Sequence, residues 1–220
     1  MKPSAKPVSV TLFGAAYSVY TRSARLALIE KGVPYRFDEV HVFGPGGAPT
    51  EHLARQPFGK VPAFEHDGFA LFETAAILRY VDEAFSGPAL QPVDTRSRAR
   101  MTQAMSVCDS YLYGHGVWGI FVERVAKAKR GEAADEQKVA ASLPKVAACH
   151  AVLADILGDQ DHLCGDALTL ADLHAAPMLA CLAMTDEGRA MMAAHPRLEK
   201  WWQRMGAWPA MVQTRAGTDV

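Results

Sequence analysis

Asp67 and Gly68 stand between two short apolar runs in the segment PAFEHDGFALF. An Asp-Gly pair in this setting predicts a tight β-hairpin, because both residues tolerate the positive φ angles of the favoured two-residue turns. Upstream, the pattern predicts strands over Val8–Phe13 and Tyr35–Val42, separated by a helix over Arg22–Lys31. This part of the chain therefore predicts a βαβ unit, whose two strands are expected to be parallel.

The remaining elements of the first 85 residues complete the predicted domain. A short helical piece, EHLAR, precedes the hairpin, and a helix is expected over Glu73–Phe85 after it. The order strand, helix, strand, helix, hairpin, helix is that of a thioredoxin-like α/β domain, which we assign to residues 1–85.

The pattern changes after Phe85. Residues 86–93, SGPALQPV, are typical of a linker, and from residue 94 to 220 no strand alternation is found. Ala, Leu and Met recur at helical spacing instead, which predicts an all-α domain. Helices are expected at Thr95–Tyr111, Trp118–Lys129, Ala134–Leu157, Leu170–Met184 and Pro196–Met205.

Composition excludes several classes of protein. The 220 residues are 50% hydrophobic, enough for a substantial core, and 23 basic against 24 acidic residues give a net charge of -1. This balance offers no electrostatic surface for a nucleic acid or an anionic membrane. The longest apolar stretch, AAPMLACLAM, is too short to span a bilayer, and the N-terminus lacks a secretory apolar core. We expect a cytoplasmic protein with neither nucleic acid nor membrane as a partner.

Cysteine and histidine spacing predicts neither a metal site nor a redox dithiol. The four cysteines form no CxxC pair, and no HExxH pattern occurs. The cysteines are therefore interpreted as small apolar fillers between helices.

The stretch AAYSVYTR carries four hydroxyls, on Tyr17, Ser18, Tyr20 and Thr21, between the first strand and the first helix. A turn of this kind suits an anion, because the first N–H groups of the following helix are unpaired. Ser18 has two compatible roles: it can cap the helix through its oxygen, or donate its proton to a ligand.

The segment RQPFGKVPAFEHDGFALFETAAIL resembles the glutathione-binding half of cytosolic glutathione transferases. Members of that family carry a PFGxVP run, a hairpin, and then Glu-Ser or Glu-Thr opening a helix. The stretch GAAYSVYTR is similar to the serine-type enzymes of the phi and theta kind. Ser18 matches their catalytic serine, and Tyr17 ranks second because tyrosine-type relatives place their tyrosine closer to the strand. The implied activity is activation of the glutathione thiol for attack on small apolar electrophiles, as in detoxification.

The resemblance also implies how glutathione is held. The Val61–Pro62 bond would be cis, and the main chain of Val61 would meet the cysteinyl unit. Glu73 and Thr74 would bind the γ-glutamyl end, and Lys60 matches a position that often reaches the glycyl carboxylate.

The loop after the second strand departs from the phi pattern. Phi enzymes carry a His-Lys pair there, whereas this chain reads FGPGGAPTEH. His41 and His52 flank the loop, but neither stands where the His-Lys pair would align. The sequence therefore leaves open which residue binds the glycyl end of glutathione.

In the helical domain, Tyr111 and Trp118 are candidates for the electrophile pocket, with core or subunit packing as the alternative. The pattern TLAD at 169–172 predicts a helix cap with a structural role. The family implies a homodimer, and glutathione as co-substrate with no further cofactor. Two alternatives remain: a glutathione-dependent isomerase or peroxidase, and a non-catalytic ligand carrier or partner-binding protein.

Overall fold

The computed structural model describes residues 9–44 and 46–215. Val8, the expected first residue of the first strand, lies outside them. The chain divides into two compact units, Met1–Pro88 and Ala89–Val220. The boundary falls within the segment 86–93 that has the composition of a linker.

The first unit has the thioredoxin-like fold, as the sequence predicted. A four-stranded sheet has the order β2-β1-β3-β4, with β1 and β2 parallel and the other neighbours antiparallel. Asp67 (φ 49°) and Gly68 (φ 86°) form the turn of the β3–β4 hairpin. The elements are β1 Val10–Gly14, α1 Val19–Glu30, β2 Arg36–Glu39, α2 Thr50–Leu53, β3 Ala63–His66, β4 Phe69–Phe72 and α3 Thr74–Ala84.

The core of the first unit lies between the sheet and two helices. Every residue of β1 is buried, which fits a central strand covered on both faces. The helices α1 and α3 pack against each other. Lys31, at the end of α1, is buried and pairs with Asp82 of α3 at 3.0 Å. This pair is satisfied further by the carbonyl of Pro88, which accepts from Lys31 Nζ at 2.9 Å.

The second unit is helical throughout the described residues. Two of its helices, α8 and α10, are absent from the sequence prediction. Its elements are α4 Thr95–Val107, a π-helix Cys108–Ala126, α5 Lys127–Lys129, α6 Glu136–Leu157, α7 Leu170–Ala183, α8 Asp186–Ala193, α9 Pro196–Gly206 and α10 Pro209–Gln213.

The predicted break between Tyr111 and Trp118 is wrong, because the π-helix runs through it without interruption. Two of the three glycines in this segment, Gly116 and Gly119, serve close packing rather than a turn. A Cβ at Gly119 would lie within 2.1 Å of Ser142 Oγ in α6, and one at Gly116 would lie 3.2 Å from Leu182 in α7. Tertiary packing therefore overrides the low helix propensity of glycine.

The start of α7 confirms the structural reading of TLAD. Thr169 and Asp172 form a reciprocal capping box, and the Asp172 carboxylate is fully buried. The carboxylate also accepts hydrogen bonds from the backbone of Leu163 at 2.9 Å and from Trp201 Nε1 at 2.7 Å. The buried Asp172 side chain thus joins α7 to α9 and to the loop that precedes α7.

All four cysteines are buried and none of them forms a disulfide bond, as expected of apolar fillers. Burial raises the pKa of the Cys149 thiol to about 11 and that of Cys164 to about 12. Such thiols are protonated at neutral pH and make poor nucleophiles.

In the described part of the chain, one helix, α6, has the length and apolar composition needed to cross a membrane. The core helix of a soluble protein meets the same criterion, so this feature alone is weak evidence for a span. Here α6 packs against the π-helix and buries Val139, Val146, Leu153 and Leu157.

Candidate functional site

The sheet brings three candidate segments to one edge. Ala63, the first residue of β3, pairs with Phe13 of β1 on one side and with Phe72 of β4 on the other. The chain just beyond these pairs comprises the turn after Gly14, the residues Val61 and Pro62, and the start of α3 at Glu73. Strand register therefore gathers segments that lie far apart in sequence.

Ser18 is the N-cap of α1. Its backbone is extended (φ -77°, ψ 123°), and its Oγ accepts from the N–H of Thr21 at 3.3 Å. The hydroxyl proton is not used by this contact, so it can be donated to a ligand. The helix N-terminus adds partial positive charge at the same place. The site can therefore stabilise an anion beside Ser18.

Close packing fixes this helix end against the sheet. A Cβ at Gly14 would lie 2.5 Å from both Oγ1 and Cγ2 of Thr21, so only glycine fits there. The N–H of Ala16 donates to Glu39 Oε1 at 3.4 Å, and the N–H of Val40 donates to the carbonyl of Gly14 at 2.8 Å. These contacts hold the turn to both neighbouring elements.

Tyr17, the rival of Ser18, lies against the loop that follows β2. Its ring is 39% exposed and stacks on His41 with centroids 6.2 Å apart, and Phe43 lies 6.1 Å away. Partial burial raises the pKa of Tyr17, an effect opposed by a hydrogen bond from the backbone of Val42. The Tyr17 side chain thus contacts the loop after β2, whereas the Ser18 hydroxyl lies at the N-terminus of α1.

The Val61–Pro62 peptide bond is cis, as the resemblance implied. Just before it, Lys60 has an exposed side chain. His52, one of the two histidines flanking the loop, is buried, and its Nε2 lies 2.6 Å from the carbonyl of Lys60. The buried His52 side chain therefore does not face a ligand at the surface, whereas the cationic side chain of Lys60 is exposed there.

Glu73 adopts a backbone conformation that is unusual for a residue with a side chain. Its φ is 70° and its ψ is 116°, and non-glycine residues in such regions concentrate at functional sites. Its side chain is exposed, while Thr74, the first residue of α3, is buried. The first N–H groups of α3 are available at this position to a carboxylate.

The two aromatic candidates of the second unit lie on the π-helix. Tyr111 is 59% exposed and Trp118 is 36% exposed, so neither is a core residue of the isolated chain. Trp118 meets Tyr113 edge to face at 6.5 Å. Burial raises the pKa of Tyr113, and a hydrogen bond with Trp118 opposes that shift.

Sequence reasoning missed one part of the site, the side chain of Gln56. It is buried, and its Oε1 accepts from the backbone N–H groups of Phe58 at 2.8 Å and Lys60 at 3.1 Å. Gln56 stands immediately before PFGKVP in the sequence. No spacing rule, however, predicts that its side chain accepts hydrogen bonds from the backbone of the loop that follows it. Within residues 9–44 and 46–215, no group of His, Cys, Asp and Glu side chains is arranged to hold a metal ion.

The fold and this edge define a thioredoxin-like unit with a serine hydroxyl at the N-terminus of its first helix, followed in the chain by a helical unit. Two family models match it: "Glutathione S-transferase, N-terminal domain" over residues 12–89 and "Glutathione S-transferase, C-terminal domain" over residues 111–209. The chain belongs to the glutathione S-transferase family, and its relatives are of the serine-type, phi-like kind.

Individual relatives agree with this assignment. Glutathione S-transferase 4 of Zea mays is 32% identical over 202 residues, which are 92% of this chain and 90% of the relative. The structure of a glutathione S-transferase III in its apo form superposes with a TM-score of 0.83 at 28% identity, covering 96% of this chain and 98% of that one. The structure of a glutathione S-transferase I bound to lactoylglutathione gives a TM-score of 0.79 at 26% identity, covering 94% and 98%.

Proposed function

We propose that this chain, a glutathione S-transferase by family, ionises the thiol of bound glutathione at Ser18 and directs the thiolate at small apolar electrophiles. The observation that carries the proposal is the position of Ser18. Its Oγ is already satisfied as an acceptor by Thr21, which leaves its proton for sulfur at the N-terminus of α1.

The chemistry requires a lowered thiol pKa. A free thiol with a pKa near 8.5 is mostly protonated at pH 7, yet the thiolate is the nucleophile. A hydrogen bond to sulfur and a helix N-terminus both favour the charged form. A shift of about two units, or roughly 2.7 kcal/mol, would ionise most of the bound thiol. The thiolate then forms a bond to the electrophilic carbon, and the leaving group departs with its electron pair.

The same sheet edge would hold the tripeptide. The main chain of Val61, beside Pro62, would pair with the cysteinyl unit in the manner of an added strand. Glu73 would take the ammonium of the γ-glutamyl end, and Thr74 with the start of α3 would take its carboxylate. Lys60 is the exposed cation proposed for the glycyl carboxylate.

The second domain would supply most of the electrophile pocket. We assign glutathione binding to residues 1–85 and the electrophile to residues 94–220, with Tyr111 and Trp118 as lining residues because both are exposed aromatics on one helix. The family supports a homodimer, a cytoplasmic location and a role in detoxification. Size-exclusion chromatography with light scattering tests the dimer, since a monomeric mass at micromolar concentration would contradict it.

The direct test follows the ultraviolet absorbance of the bound glutathione thiolate against pH. The native chain should ionise the thiol well below the pKa of free glutathione, Ser18→Ala should abolish this shift, and Tyr17→Phe should keep it. If Ser18→Ala leaves the shift intact, the proposed role of Ser18 fails. If the native chain binds glutathione without any shift, the carrier alternative replaces the enzyme.

A further inference from the structure

Two buried side chains hold the backbone of Lys60 from both sides. Gln56, 2% exposed, accepts the N–H of Lys60 through Oε1, and His52, 1% exposed, contacts the Lys60 carbonyl through Nε2. A carbonyl oxygen can only accept, so Nε2 of His52 carries the proton and donates it. We call this pair of side chains, His52 and Gln56, the Lys60 clamp.

The clamp determines the direction of the next N–H group. The peptide unit joining Lys60 to Val61 is planar, and in a trans unit its C=O and N–H point in opposite directions. Among the described residues the cis bond is Val61–Pro62, so the Lys60–Val61 unit is trans. Because the Lys60 carbonyl points at buried His52, the N–H of Val61 points away from His52.

We propose that His52 and Gln56 are positioning residues for glutathione, which they never touch. They fix the Lys60–Val61 peptide unit so that Val61 presents its main chain to the cysteinyl unit before glutathione arrives. This inference rests on the proposed function, in which the main chain of Val61 binds the tripeptide. Binding then avoids the entropy of ordering this loop, which is how preorganisation raises affinity.

A buried nitrogen atom of His52 that lacks a hydrogen-bond partner within residues 9–44 and 46–215 supports a role for this side chain beyond packing. Its Nδ1 is buried and has no hydrogen-bond partner among the described residues. A buried polar atom without a partner costs free energy, and an apolar side chain in the same place would avoid that cost. Stability alone therefore gives no reason for an imidazole here, whereas holding the Lys60 carbonyl does.

The test uses paired substitutions in the full-length chain. His52→Leu and Gln56→Leu remove the hydrogen bonds to Lys60, whereas His52→Gln retains a donor and Gln56→Glu retains the acceptor oxygens. Glutathione affinity is measured by calorimetry. The KM for glutathione and the kcat are measured in activity assays with an excess of an electrophilic aryl halide. Thermal unfolding reports stability separately. Glu123→Gln, in the second unit, is the control for lost stability without a change in this loop.

Each leucine variant should raise the Kd and KM for glutathione roughly tenfold, the equivalent of one lost hydrogen bond. Their kcat at saturating glutathione should stay within about twofold of native, because Ser18 still meets the sulfur once glutathione is bound. The two conservative variants should recover most of the affinity. Glu123→Gln should unfold at a lower temperature with its KM unchanged. Should a leucine variant fail to fold, His52→Ala and Gln56→Ala apply the same test, since alanine has neither a donor nor an acceptor in its side chain.

An unchanged KM in both leucine variants, with only a lower unfolding temperature, would overturn the inference and leave the clamp a structural feature. That result is distinguishable from failure of the proposed function. Native glutathione binding with a thiol pKa shift lost in Ser18→Ala would keep the proposed function while the clamp alone falls. No glutathione binding by the native chain would overturn both.

Discussion

Gly14 lies closer to Thr21 than any residue with a side chain would allow. An added Cβ would sit 2.5 Å from both Oγ1 and Cγ2 and 3.1 Å from the Cβ of Thr21. Thr21 is fully buried in the first turn of α1, and a branched side chain in a helix has few rotamers to escape into. Gly14→Ala must therefore push α1 away from β1. We expect a loss of about 2 kcal/mol in the free energy of unfolding, typical of an overpacked core.

Urea unfolding of a double-mutant cycle tests this reasoning. Thr21→Ala removes the clashing atoms, and because Oγ1 has no hydrogen-bond partner, it should cost only about 1 kcal/mol. The double variant should then be more stable than the sum of the single effects by at least about 1 kcal/mol. Gly44→Ala is the control, since an added Cβ meets nothing within 4 Å there.

Additive effects in the cycle would refute the steric explanation, as would a native-like stability of Gly14→Ala. The substitution also has a functional consequence. Ser18 caps the helix that would move, so the pKa of bound glutathione should rise in Gly14→Ala and return in the double variant.

Three further predictions follow from other sites. Hydrogen bonds from Lys127, Lys138 and the backbone lower the pKa of Glu123 from 4.5 to about 2. Because the pKa of Glu123 is lowered, its carboxylate stabilises the fold above about pH 4.5, and this stabilisation is lost as the pH falls toward 2. Glu123→Gln should therefore lower the free energy of unfolding in urea by about 2–3 kcal/mol at pH 7 and by much less near pH 2. An equal loss at the two pH values would contradict this prediction. Asp172→Asn should lower stability by about 3 kcal/mol in thermal unfolding, because an amide cannot accept all its buried donors; a loss below about 1 kcal/mol would contradict it. Glu73→Gly should raise stability by up to about 1 kcal/mol in thermal unfolding, because glycine adopts the positive φ angle of this position without strain. The same variant should bind glutathione more weakly in calorimetry. An unchanged affinity would argue against Glu73 as a glutathione ligand.

The first unit could be predicted because its signals are local. The Asp-Gly turn fixes the hairpin, and the strand and helix spacings around it fix the order of elements. Once that order is known, register brings the turn before α1, the segment at Pro62 and the start of α3 to one edge. The N-cap role of Ser18 likewise depends only on residues within one helical turn.

The second unit was harder to predict because its determinants are not local. Glycine in YLYGHGVWGIF normally indicates a break, yet Gly119 is small so that Ser142, more than twenty positions later, can pack against it. Nothing in the spacing of the π-helix residues reveals that contact. The Lys60 clamp is hidden for a similar reason, since the burial of His52 depends on the folded loop.

The central claim is that Ser18 ionises the thiol of bound glutathione, and the pH profile of catalysis tests it most directly. The quantity is kcat/KM for the electrophile, measured at saturating glutathione in the native chain and in Ser18→Ala. The native profile should rise with an apparent pKa about two units below the 8.5 of a free thiol. Ser18→Ala should move that pKa back toward 8.5 while reaching a similar plateau at high pH. An identical apparent pKa in both proteins would contradict the claim.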